Sequence, residues 1–165
     1  MSDGFAMGAV FTRPGVTISA AVPTRRYSLR ARDPAMLAAV IGHPLPARIG
    51  ETEGGIACLG PYEYYARLPV DTVLSDGAGQ PMSIVDVSAR AVGIAIDGER
   101  AVDVLAAGCP LDLARFAVGR TTRTIFETVE IIVARETETR WHVEVWRSFA
   151  PWLQLALVTA ASHPH

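Results

Sequence analysis

His142, Glu144 and Ser148 stand within the stretch WHVEVWRSFAPW, residues 141–152. A serine, a histidine and a carboxylate are the parts of a nucleophile activated by a base that a third group orients. That chemistry requires hydrogen-bond contact, and an extended strand does not bring residues so spaced into contact. Ser148 is equally well placed to cap a following helix, and His142 with Glu144 reads as the wet side of an edge strand. No G-x-S-x-G elbow supports a hydrolase. No residue of this chain is therefore assigned a catalytic role.

Other site chemistries fare no better. His43, His142, His163 and His165 show no metal-ligand spacing, and the last two lie on a terminal tail suited at most to adventitious binding. Cys58 and Cys109 are too few and too distant for a zinc site or a disulfide scaffold and read as free thiols. All 15 basic residues are Arg, so the lysine-dependent phosphate loop is impossible, and DGAGQP does not complete G-x-G-x-x-G. Asp86 and Asp97 flank a hairpin-like region and read as turn formers. No metal ligand and no cofactor-binding residue is assigned.

With 165 residues the chain suits one domain that buries about 68–70% of its unfolded surface. The net charge of −2 offers no footprint for nucleic acid or an acidic membrane. Charged residues make up 19% and apolar ones 50%, a balance that suggests part of the surface is hidden against another chain. The N-terminus carries an acidic residue where an export signal would be basic, and the apolar run 149–161 is too short for a bilayer span. A cytoplasmic location is expected.

The elements that would position these residues follow from pattern. Residues 1–26 mix Gly, Pro, Thr and Arg without periodicity and are read as a flexible arm. YSLRA alternates as a strand, Asp33-Pro34 starts a helix, and Gly42 ends it. GIACLG and YEYYARLP are strands, the second with Tyr62, Tyr64, Ala66 and Leu68 on one face. After a loop over 71–80 come strands at 83–87 and 92–96, a helix in ERAVDVLAAG and two strands in RTIFETVEIIVAR. RWHVEVW is the clearest strand, and a helix follows it. Each half reads strand, helix, then two or three strands, an α+β fold with mainly antiparallel sheets and helices on one face. Residues 27–160 form the expected single domain, and 161–165 a C-terminal tail.

On RWHVEVW, Trp141, Val143 and Val145 face one way and His142, Glu144 and Trp146 the other. The first set suits the core. Trp146 falls on the more polar face, beside Arg147 and below a helix bearing Phe149 and Trp152. These four are the expected contact or packing residues.

The run IVDVSARAVGIAIDGERAVDVLAAGCPLDLARFAVGRTTRT, followed by WHVEVWRSFAPWLQLAL, resembles the gamma subunit of heterotetrameric sarcosine oxidase. Its elements are VDVS, a strand, DGERAVDVLA, GCPLDL, a Phe-x-x-Gly-Arg-Thr-x-x-Thr stretch at Phe116–Thr124, and the strand ending in WRSFAPW. Upstream, CLGPYEYYARLP is similar to the family's LGP-D/E-W segment, with Tyr where that pattern often has Trp. The match covers about residues 27–158. The family is in turn similar to part of the folate-binding domain of glycine-cleavage aminomethyltransferases.

The resemblance implies an accessory, non-catalytic gamma subunit in a complex with alpha, beta and delta chains, packed chiefly on alpha. It implies oxidative demethylation of sarcosine to glycine, with hydrogen peroxide and formaldehyde or methylene-tetrahydrofolate as products. FAD, FMN and NAD are implied on other subunits, with tetrahydrofolate as co-substrate. Two alternatives stay open: a gamma-type subunit of an oxidase or dehydrogenase for another N-methyl amine, and an independent folate-binding one-carbon domain.

Overall fold

The computed structural model describes residues 9–163. In chain order the elements are β1 (Phe11–Arg13), β2 (Val16–Ala20), β3 (Arg25–Ala31), α1 (Pro34–Ile41), β4 (Thr52–Glu53), β5 (Ile56–Gly60) and β6 (Glu63–Leu68). There follow β7 (Met82–Asp86), β8 (Ala91–Asp97), α2 (Ala101–Ala106), β9 (Thr121–Phe126), β10 (Val129–Arg135), β11 (Arg140–Trp146) and α3 (Ala150–Ser162). Short 3-10 turns lie at Leu113–Arg115 and Arg147–Phe149. The fold is α+β, with two sheets and few helices. The chain divides into two compact units, where the sequence pattern suggests one domain.

The first unit holds a six-stranded sheet of order β1-β2-β8-β11-β10-β9, with antiparallel registers β1–β2, β2–β8 and β10–β11. Its core joins Ile18, Ile96, Ile131, Trp141 and Val143 from the strands to Val104, Leu105, Leu153 and Leu157 from α2 and α3. Trp141 is fully buried, 5.7 Å from the Phe116 ring and with the Arg135 guanidinium 5.2 Å from its centroid. The expected arm contributes a strand to this core: β2 buries Val16 and Ile18. Residues 11–20 are thus a hairpin around Pro14-Gly15, and the part of the expected arm at 1–8 lies outside the described residues.

The second unit holds a five-stranded sheet of order β4-β5-β6-β3-β7. β3 pairs antiparallel with both β6 and β7, and β5 pairs with β6. Leu29, Ile56, Ala66 and Leu68 pack with Leu37 and Ile41 of α1. That helix forms where its punctuation puts it. Asp33 accepts the Met36 N–H at 3.1 Å, Pro34 opens the first turn, and Gly42 at φ 69° returns its N–H to the Ala38 carbonyl. Tyr64, Ala66 and Leu68 are buried on one face of β6 as their alternation requires. Tyr62 departs from that pattern. It lies in the Pro61-Tyr62 turn at φ 62°, 54% exposed, its carbonyl accepting the Ala31 N–H at 3.1 Å.

The loop expected over 71–80 contains no regular element. Tyr27 ties it down: its hydroxyl donates to the Thr72 carbonyl and accepts the Leu74 N–H, both at 3.2 Å.

Candidate functional site

His142 and Glu144 form a close side-chain pair in the first unit's sheet. His142 Nε2 and Glu144 Oε1 are 2.6 Å apart, and His142 Nδ1 lies 4.0 Å from Glu136 Oε1. Both side chains are buried, at 5% and 3% exposure. This corrects the reading of the pair as the wet side of an edge strand. β11 lies between β8 and β10, so it is a central strand, and the alternation of polar residues along it does not mark solvent.

The room for this pair comes from small residues opposite it. A Cβ on Gly93 of β8 would stand 2.6 Å from His142 Cε1, 2.9 Å from Glu144 Oε1 and 2.9 Å from Ala21 Cβ. Ala134 is the cross-strand partner of His142 and is itself buried. A buried charge or strong hydrogen-bonding group requires a partner, and the imidazole and carboxylate supply one to each other.

Ser148 does not join them. It is exposed in the 3-10 turn after β11 and makes no hydrogen bond to either residue among the described residues. Nor does it cap α3: that helix starts at Ala150, with Phe149 at the cap position and no side-chain cap. The His142–Glu144–Ser148 constellation is therefore a buried pair and a separate turn residue. It has the geometry of a structural strut, in which Ser148 is not the partner of the base.

Trp146, Arg147, Phe149 and Trp152 are brought together in sequence on the turn from β11 into α3. Trp146 is 43% exposed, Phe149 48% and Trp152 39%. Leu155, three residues beyond Trp152 and so on the same helix face, is 59% exposed. Leu153 and Leu157 of the same helix are fully buried. The helix therefore has two apolar faces, one in its own core and one in solvent. Leu155 was not singled out from the sequence, although its spacing from Trp152 and Phe149 carried the signal.

Other polar groups are absorbed locally. Asp97 accepts from the Thr139 hydroxyl at 3.2 Å and lies 3.7 Å from Arg140, beside a recess of about 580 Å³ that also involves Thr12 and Thr17. Asp86 accepts from Ser88 and from Arg25 Nε at 2.8 Å. The Ser88 hydrogen bonds, with the Arg25 guanidinium, hold its carboxyl below the usual range. Burial pushes the Cys58 thiol up, away from thiolate reactivity, and its Sγ donates to the Gly60 carbonyl. Among the described residues no group of three His, Cys, Asp or Glu side chains is placed to hold a metal ion. Among the described residues no helix is long and apolar enough to cross a membrane.

The chain matches no family model. It is 30% identical over 155 residues to a sarcosine oxidase subunit gamma from Arthrobacter sp., spanning 87% of this chain and 75% of that one. It is 31% identical over 163 residues to the sarcosine oxidase subunit gamma of Corynebacterium sp. (strain U-96), spanning 89% and 80%. The fold superposes on a chain of the heterotetrameric sarcosine oxidase from Corynebacterium sp. U-96, with TM-score 0.84 and 29% identity over 96% of this chain and 91% of that one. The glycine cleavage system aminomethyltransferase T from Bartonella henselae shares the fold at TM-score 0.68 and 14% identity, over 89% of this chain and 46% of that one. The identity to relatives matched over three quarters or more of their length shows that this chain belongs to the sarcosine oxidase gamma subunit family.

Proposed function

We propose that this chain is an accessory, non-catalytic subunit of a heterotetrameric sarcosine oxidase, docked on its partners through the aromatic corner at Trp146, Phe149, Trp152 and Leu155. The observation that carries the reading is this corner itself. Two tryptophans, a phenylalanine and a leucine between residues 146 and 155 lie 39–59% exposed. A large aromatic buries roughly 150–250 Å². Covering the exposed portion of each ring therefore contributes about 2 kcal/mol at ~25 cal/mol per Å². Aromatic residues with Arg are enriched in the centres of protein interfaces, and Arg147 lies in the same turn.

In this reading the chemistry belongs to other subunits. They carry FAD, FMN and NAD, take sarcosine to glycine, and deliver the one-carbon unit as formaldehyde or to tetrahydrofolate, with hydrogen peroxide formed. The gamma chain stabilises the large alpha subunit, alongside beta and delta, in the cytoplasm. The buried, mutually satisfied His142–Glu144 pair supports a scaffold role, because a base enclosed this way has no access to substrate.

The likeness to the aminomethyltransferase fold favours a second reading, an independent folate-binding one-carbon domain. The chain spans less than half of that protein, which weighs against it. Titration of the isolated chain with tetrahydrofolate separates the two: saturable binding supports the second reading, and none supports the first. Trp152→Ala tests the first directly. Complex yield is expected to fall while the isolated chain keeps its fold; unchanged yield removes the corner from the interface.

A further inference from the structure

The second unit carries a separate recess of about 410 Å³ on its five-stranded sheet, lined among others by Arg30, Arg32, Pro61, Tyr62 and Met82. Two guanidiniums share it with one carboxylate, Glu63. Arg30 lies 3.5 Å from that carboxylate with its side chain 66% exposed, a loose surface contact. Arg32 is exposed, and its side chain makes no hydrogen bond or ion pair among the described residues.

Tyr62 is the second unusual feature of this recess. It occupies φ 62° directly after Pro61, a turn position that goes to glycine or asparagine because a Cβ is unfavourable there. A bulky aromatic held in that conformation, half out in solvent, adds nothing to the core of its unit. Backbone strain of this kind persists where the side chain is used.

We propose that this recess docks a carboxylate side chain from an acidic segment of another subunit, with Arg32 receiving the carboxylate and Tyr62 covering it. The proposal rests on the accessory-subunit reading above. Arg presents a planar fork that matches a carboxylate, and Tyr with Arg is the composition of interface anchor points. A protein segment fits better than a free inorganic anion. An anion would satisfy Arg32 but leave the Tyr62 ring and the proline and methionine walls in water.

The test is the release of this chain from the purified complex as salt is raised, read by size exclusion for the wild type, Arg32→Glu and Tyr62→Gly. Wild-type chain is expected to stay bound at moderate salt. Arg32→Glu and Tyr62→Gly are expected to speed its dissociation on the order of tenfold. Arg32→Glu is expected also to flatten the salt dependence. Tyr62→Gly gives a readout that misfolding cannot imitate, because glycine suits φ 62° and the isolated variant should melt no lower than wild type. Wild-type association with both variants indistinguishable from it overturns the recess proposal and leaves the accessory reading standing. A wild-type chain that joins no complex overturns both. Self-association of the isolated chain that Arg32→Glu abolishes assigns the recess to a second copy and also overturns the proposal.

Discussion

Gly93 lies so close under the His142 ring that a Cβ on residue 93 would stand 2.6 Å from His142 Cε1. The relationship explains how a central strand keeps an imidazole and a carboxylate buried side by side. The neighbouring strand withdraws its side chain, and the pair fills the space.

Gly93→Ala is therefore expected to destabilise the chain by about 1–3 kcal/mol, the usual cost of overpacking a filled interior. Thermal or denaturant unfolding of the isolated chain checks it. A variant as stable as wild type would mean that the His142 ring moves aside freely.

Removing one member of the His142–Glu144 pair leaves the other buried without its principal partner. Glu144→Leu is expected to cost about 3–5 kcal/mol. Adding His142→Leu should cost less than the sum of the two single changes, because the buried imidazole that has lost Glu144 is then gone. A double-mutant cycle by urea unfolding measures the coupling. Additive single effects would show that the 2.6 Å contact contributes nothing of its own.

Asp86 gives a pH dependence with a defined sign. Its folded carboxyl sits below the ordinary carboxylate range, held there first by Ser88 and then by Arg25. The stability this contributes is present above the unfolded carboxylate pKa and is lost as pH falls through the folded one. Asp86→Asn should flatten the acid limb of the stability profile and leave the profile near neutrality similar in shape. Parallel acid limbs for the two proteins would contradict this.

Leu155 is the most exposed member of the aromatic corner. Leu155→Ser is expected to leave the melting temperature of the isolated chain within a few degrees of wild type, since the side chain buries little within its own fold. The same change should lower complex yield. A large drop in melting temperature would place Leu155 in the chain's own packing instead.

Local signals in the sequence located most elements. The Asp33 cap, Pro34 and Gly42 delimit α1 because each satisfies a backbone requirement within a few residues. RWHVEVW is β11 from end to end. Non-local facts were not legible. The position of β11 between β8 and β10 turns a polar alternation into a buried one, and nothing within residues 140–146 encodes which strands flank them. β1 is three residues long, too short to show a period, although Pro14-Gly15 followed by alternating Val16 and Ile18 marked the hairpin. The run from a strand ending in Trp146 into a helix carrying Pro151 in its first turn was legible in the pattern of residues 140–152. Alternation alone places Tyr62 on the strand, whereas the preceding proline marks the turn in which it lies.

The accessory-subunit account is tested most directly by affinity purification of this chain from its native cells grown on sarcosine, with co-purifying proteins identified and flavin absorbance recorded. The account predicts three further subunits in stoichiometric amount, bound flavin, and sarcosine oxidation by the assembly. A chain recovered alone and free of flavin would contradict it.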